Sequence, residues 1–307
     1  LHFPSVYQTL PGMQRDLAGG REFQRLRTSD YAVDVYDRVN DSRFWKSFKT
    51  EYLCNKPDAA PVWDAASAPS SSDIGRAKFQ GGEVSIKYIV NDANDTRYTA
   101  DNIKKRSPHM FVRYFSGNSK DYKGNHGNYD ASRYLTMSKF ADGSRNSVAS
   151  QFGNRDGILA RLAETYLIVA EALGRQENYD QAIVYINTVR ERAAYKEGED
   201  RAAYVDGGVA YKTNDVVSPG SLVSFSDRNT YFESNNIAQT SAATLTNMHI
   251  SAPADIWNAK DQFYDVLGVS SNQEKFIAFI LNERSRELMG ELMRWEDLAR
   301  TKTLVKR

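Results

Sequence analysis

A mainly α-helical fold carrying irregular loops and a few short strands is what this 307-residue sequence predicts. Three observations predict it. Apolar residues recur at helical spacing through 157–193 and again through 277–299. Strand-like alternation is confined to short runs near Val84 and Met110. The remaining stretches are rich in Gly, Asn, Asp, Ser and Tyr, the composition of loops.

Residues 1–55 form a helical and irregular lead-in. Pro11-Gly12 and Gly19-Gly20 are turn signals, after which Tyr31, Val35 and Val39 trace a helical pattern. Residues 56–135 are expected to be a region of loops and short strands. The Ala/Pro/Ser-rich run from Pro57 to Gly75 is a linker or loop. Val84, Ile86, Tyr88 and Val90 then alternate as in an edge strand, and Met110–Phe115 suggests a second strand.

Residues 136–195 hold two helices. The first, from about Gly157 to Arg175, carries Leu162, Tyr166, Val169, Ala170 and Leu173 on one side, while Ala163, Ala170 and Ala172 allow a neighbour to approach closely. The second is capped by Asn178 or Asp180 and buries Ala182, Ile183, Ile186 and Val189. The short turn between them and the spacing of Tyr179, Ala182 and Ile186 predict a tetratricopeptide-like hairpin. A lone hairpin cannot bury its apolar face, so other helices must stack on it.

Residues 196–250 lack apolar periodicity and are expected to be a long loop excursion of functional use. Residues 251–307 close the chain with helices. Ser251, Pro253 and Gly268 mark the cap, first turn and end of one helix. In the next, Ile277, Leu281, Leu288, Leu292, Trp295 and Ala299 draw one apolar stripe. Its charges fall in opposite-sign pairs, such as Glu283 with Arg286 and Glu296 with Arg300, which suit a helix surface. Gly290 marks a bend or boundary between two helical pieces.

Forty basic against 39 acidic residues leave a net charge of +1, so no global field draws nucleic acid or an anionic membrane. Cys54 is the single cysteine, which excludes an intrachain disulfide framework. No apolar run approaches the ~20 residues that span a bilayer.

The sequence contains no G-x-S-x-G elbow, P-loop or H-E-x-x-H motif. His2, His109, His126 and His249 are too scattered to suggest a metal site, and no cofactor is expected. Asp92, Asn94 and Thr96 faintly resemble a calcium loop, but Arg97 stands where Gly is needed and Ile103 where a bidentate Glu is needed. Glu164, Glu171, Glu283 and Glu287 could be imagined as glycosidase carboxylates; their Arg-rich helical setting favours a charge ladder between packed helices instead. An enzyme is not expected.

Two segments carry a family resemblance. "NERSRELMGELMRWEDLAR" near the end resembles the "ER.REL..E..RW.DL.R" signature of the SusD/RagB family. Upstream, Lys139, Phe140, Asp142 and Arg145, followed by Arg155, Asp156, Arg161, Ala163, Glu164, Tyr166, Ala170 and Glu171, are similar to that family's "P.L.KF.D..R" and "RD..V.RLAE.YLI.AEA" segments. "NDSRFWKSF" resembles its "DPRF" segment, with Ser42 in place of Pro. The resemblance runs from about Arg15 to Arg300. It implies a single SusD-like domain of helical hairpins with ligand-holding loops. It further implies a lipoprotein exposed at the outer membrane of Bacteroidetes, whose partners are a glycan or peptide nutrient and a SusC-type TonB-dependent transporter. Relative to the family, both chain ends are expected to be incomplete, with the N-terminal lipid anchor outside this sequence.

Holding a sugar requires flat aromatics for its apolar C–H faces beside planar polar partners for its hydroxyls. The loops supply that mixture at Trp63, Arg97, Tyr98, Tyr114, Tyr122, Asn125 and Tyr129, and at Tyr231 with Phe232. These are the candidate ligand-binding residues.

Overall fold

The computed structural model describes residues 3–17, 19–117, 126–139, 141–142, 145–153, 156–194 and 241–305. Of the sequence-derived candidates, Tyr122, Asn125, Tyr231 and Phe232, and most of the expected 196–250 excursion, lie outside them. The chain folds as two compact units. Among the described residues helix dominates, and five short strands in two small sheets make the architecture mixed rather than purely helical.

The first unit draws on residues 3–28 and 48–153. Strand β1 (Phe48–Lys49) pairs antiparallel with β5 (Thr136–Met137). A second sheet has the order β2 (Glu51–Leu53), β3 (Val84–Ile89), β4 (His109–Val112). The alternation at Val84–Val90 does form a strand, but it lies in the centre of the sheet, not at an edge. Tyr52 faces Ile86 in an antiparallel ladder, and Lys87 faces Met110 in a parallel one. The parallel pairing forces a crossover, and residues 90–108 supply it with a 3₁₀ turn at Asn102–Lys105. The Pro57–Gly75 linker contains two further 3₁₀ turns. Behind the sheet, Tyr52 stacks on Tyr7 with ring centroids 5.3 Å apart, and Tyr88 on Phe111 at 5.1 Å.

The second unit draws on residues 29–47, 156–194 and 241–305. Its helices are α1 (Asp30–Asp34), α2 (Ser42–Ser47), α3 (Leu162–Arg175), α4 (Tyr179–Ala193), α5 (Ser241–Met248), α6 (Pro253–Trp257), α7 (Tyr264–Leu267), α8 (Asn272–Glu287) and α9 (Arg294–Arg300). Helix α3 begins five residues later than the sequence suggested. Its buried face is Leu167, Ala170 and Gly174, whereas Leu162 is exposed. Packing is closest at Gly174, where a Cβ would collide with the Phe276 ring of α8. Leu167, Ala182, Ile186, Phe276 and Ile280 anchor a core shared by α3, α4 and α8. Thus the hairpin does stack on the signature helix.

Three expectations are corrected in this unit. Within the 196–250 stretch, Ser241–Met248 form helix α5 where loop was expected. The single helix expected over 251–268 is broken into α6, a 3₁₀ turn at Lys260–Gln262 and α7, because Ala259 is extended and Phe263 adopts φ 61°. The apolar stripe stops at Gly290, where φ values of 77° there and 64° at Leu292 redirect the chain. Beyond that turn Leu292 is 72% exposed and Trp295 67% exposed.

Candidate functional site

The carboxylates that could have suggested hydrolysis are all engaged by guanidinium groups. Glu283 is fully buried and accepts from Arg43 at 2.8 Å and from Arg190 and Arg286 at 2.9 Å each. Glu287 accepts from Arg43 at 3.1 Å, from Arg192 at 2.5 Å and from Arg161. Glu164 meets Arg284 at 3.1 Å, and Glu171 meets Arg300 at 2.7 Å and Arg175 at 2.8 Å. The charges of α8 are therefore interior, as the expected ladder between packed helices requires; of the two pairs assigned to a helix surface, Glu283–Arg286 forms but is buried, and Arg300 turns to Asp297 and Glu171.

Electrostatics agree with a structural role. Burial alone would raise these acids, but Arg43 and Arg190 hold Glu283 far below its ordinary range. Likewise Arg43, Arg192 and Arg161 outweigh burial at Glu287 and lower it to about 2. A general acid needs the opposite shift, toward neutrality. The two signature segments interlock through Arg161–Glu287, Glu164–Arg284 and Glu171–Arg300, so these six signature residues act as scaffold.

A groove of about 560 Å³ lies in the first unit, on the β3–β4 face. Its floor is formed by Val84, Lys87 and Ile89 of β3 with Met110 of β4. Tyr98, in the crossover after β3, and Arg106, just before β4, complete it together with Glu83, Ser107 and Pro108. Two contacts fix the Tyr98 loop. Ser116 donates its backbone N–H to the Tyr98 carbonyl at 2.8 Å, and Asn91 exchanges hydrogen bonds of 2.9 and 3.0 Å with the Tyr114 backbone. Lys87 is held by Glu51 at 2.7 Å across the ladder.

The remaining candidates are distributed unevenly. Arg97 forms a bidentate pair with Asp95, at 2.8 and 2.9 Å, and its guanidinium lies 5.4 Å from the Tyr98 ring centroid. Tyr114 is half-buried against His126, with ring centroids 4.7 Å apart. Tyr129 donates its hydroxyl to the Ile89 carbonyl at 3.1 Å and packs edge-on to Tyr88. Trp63 is buried, its ring covered by the Lys78 ammonium at 4.5 Å, and does not present a free surface. Among the described candidates Tyr98 is thus the one lining the groove, while Tyr114 and Tyr129 brace the strand ends beside it. Sequence reasoning missed Lys87, Arg106 and Met110; the Lys104-Lys105-Arg106 run just ahead of a strand was a signal for Arg106.

Among the described residues no group of three or more His, Cys, Asp or Glu is placed to hold a metal ion. Among them also, no helix is long and apolar enough to cross a membrane. A search of curated proteins and a search of solved structures each return no match. A family model described as the SusD family matches residues 28–307, and with both signature segments inside that span the chain belongs to the SusD family.

Proposed function

We propose that this chain captures an oligosaccharide nutrient at the cell surface and passes it, chemically unchanged, to a SusC-type TonB-dependent transporter. The SusD family works at the cell surface in nutrient binding, and its members are generally binding proteins. In this reading the protein is a lipid-anchored component of the outer membrane, and its α3–α4 hairpin is tetratricopeptide-like scaffold.

One observation favours a saccharide over a peptide. A peptide commonly binds a small sheet by adding a strand to a free edge. Here the outer edge of β4 is already occupied: Asn128 donates to the Met110 carbonyl at 2.9 Å and accepts from Val112 N–H at 2.6 Å, while its own N–H donates to the Val112 carbonyl at 3.0 Å. The opposite edge strand, Glu51–Leu53, is buried. What remains open is a groove of side chains, in which a phenol and charged groups stand beside Ile89 and Met110. That chemistry suits a ring with apolar faces and polar edges.

Calorimetric titration of the full-length protein with panels of oligosaccharides and oligopeptides tests the reading. Saccharide binding weakened by Tyr98→Ala is expected. Binding of peptides alone would replace the glycan with a peptide ligand, and failure of both panels at millimolar concentration would sink the nutrient-binding reading.

A further inference from the structure

The groove on the β3–β4 face is electrostatically asymmetric, and the asymmetry bears on which saccharide it holds. Lys87 is neutralised by Glu51, and the Lys104 ammonium is engaged by Asp101 at 3.1 Å. Arg106 differs: it is exposed and lines the groove, and among the described residues its guanidinium has no hydrogen-bond or ion-pair partner. The preceding Lys105 is likewise without a carboxylate among them. Lys78 completes the basic cluster by donating to the Lys104 carbonyl at 3.3 Å, and Ser107 donates its hydroxyl to the Lys78 carbonyl. Against these cations the groove sets one carboxylate, Glu83, which already accepts the Gln80 N–H at 2.6 Å. A positive field at the head of β4 is also felt by His109, which burial and then the Lys78 and Arg133 charges push below its ordinary range despite its Pro11 carbonyl partner.

A free guanidinium is a planar fork that matches a carboxylate or sulfate in bidentate fashion. Tyr98 lines the same groove, and its half-buried ring, with the Arg97 guanidinium 5.4 Å from its centroid, adds apolar surface for the sugar that carries such a group. We infer that this groove takes an acidic oligosaccharide, with Arg106 binding a carboxylate or sulfate substituent and Tyr98 packing on the sugar that bears it. The inference rests on the nutrient-binding reading and narrows its ligand from glycans in general to anionic ones.

The test uses the full-length protein and four probes: oligogalacturonate, its methyl-esterified counterpart, a sulfated chondroitin oligosaccharide and an oligoglutamate peptide. Calorimetry is expected to show binding of an acidic saccharide that weakens with added salt, with the esterified chain at least about tenfold weaker. The galacturonate and chondroitin arms tell carboxylate from sulfate. Arg106→Gln should lower affinity by about tenfold or more for the acidic ligand, leaving the thermal midpoint unchanged because the side chain is exposed and unpaired. Arg106→Lys should restore part of the loss. Equal affinity for acidic and esterified chains, or an Arg106→Gln variant that binds as wild type, would overturn the acidic assignment, and oligoglutamate binding as tightly as galacturonate would overturn the assignment to a saccharide. In the first of these cases saccharide capture itself still stands. Absence of binding to every saccharide, neutral ones included, would overturn both.

Discussion

Arg43 reaches Glu283 at 2.8 Å, Nη2 to Oε1, and the carboxylate it meets is entirely shielded from solvent. The same guanidinium binds Asp41 at 2.6 Å and Glu287 at 3.1 Å. Arg43 belongs to the segment that resembles the family's "DPRF" run, and Glu283 and Glu287 belong to the signature helix. One buried cation therefore ties two segments that are remote in sequence.

Removing that cation should be costly, because it strands acids that burial has already stripped of water. Arg43→Met is expected to destabilise the protein by about 3 kcal/mol. Arg43→Lys should also destabilise it, since an ammonium cannot serve three carboxylates with a planar fork. Urea unfolding followed by circular dichroism measures both; an unchanged midpoint for Arg43→Met would show that Arg190 and Arg286 suffice for Glu283.

The same lattice makes stability depend on pH in acid. Despite burial, the surrounding arginines keep Glu287 at about 2, below the ordinary 4.5. A folded-state value below the unfolded one stabilises the fold above pH 4.5, and that contribution fades as pH falls toward 2. Wild-type urea midpoints should decline across this window. Glu287→Gln should start lower at neutral pH and decline less steeply; parallel curves would remove Glu287 from the acid response.

At alkaline pH the first unit should respond in the opposite sense. Burial pushes both Tyr52 and Tyr134 up to about 12, and they donate to Thr136 Oγ1 and the Pro4 carbonyl at 3.1 Å each. Because the folded-state value lies above the ordinary 10, their contribution is whole below pH 10 and is lost as pH rises toward 12. Phenolate absorbance should therefore include a late-titrating fraction that merges with the bulk after denaturation. Tyr52→Phe should shrink it, and a single ordinary titration in the native protein would contradict the burial.

What was legible in the sequence followed from local periodicity. The hairpin, the strand at Val84 and the break at Gly290 all declare themselves within a few residues. The burial of the charged helix did not, because apart from Arg286 the arginines that neutralise Glu283 and Glu287 come from α2, the N-cap of α3 and α4. Spacing within one helix cannot distinguish a solvated ladder from one whose partners arrive from elsewhere. Nor could it place β3 at the centre of its sheet, since β2 is only three residues long and leaves no readable alternation. In the candidate site, loop composition pointed to Tyr98. It equally pointed to Trp63, which a lysine covers, because composition carries no information about which side of a loop is open.

The contact between α3 and α8 yields the sharpest test of the scaffold. Gly174 sits in the last turn of α3, where alanine would ordinarily favour the helix by about 1 kcal/mol. A Cβ there would fall within the van der Waals envelope of the fully buried Phe276 ring. Phe276 is itself confined, its ring 5.4 Å from that of Tyr179, so the clash cannot be relieved by a simple rotation. Overpacking of this kind costs about 1–3 kcal/mol, enough to cancel the helical gain and reverse its sign. Gly174→Ala should lower the unfolding midpoint, Phe276→Leu should lower it by opening a cavity, and the double variant should be more stable than the sum of the two changes predicts. Strict additivity would mean that the helices are not in contact at Gly174.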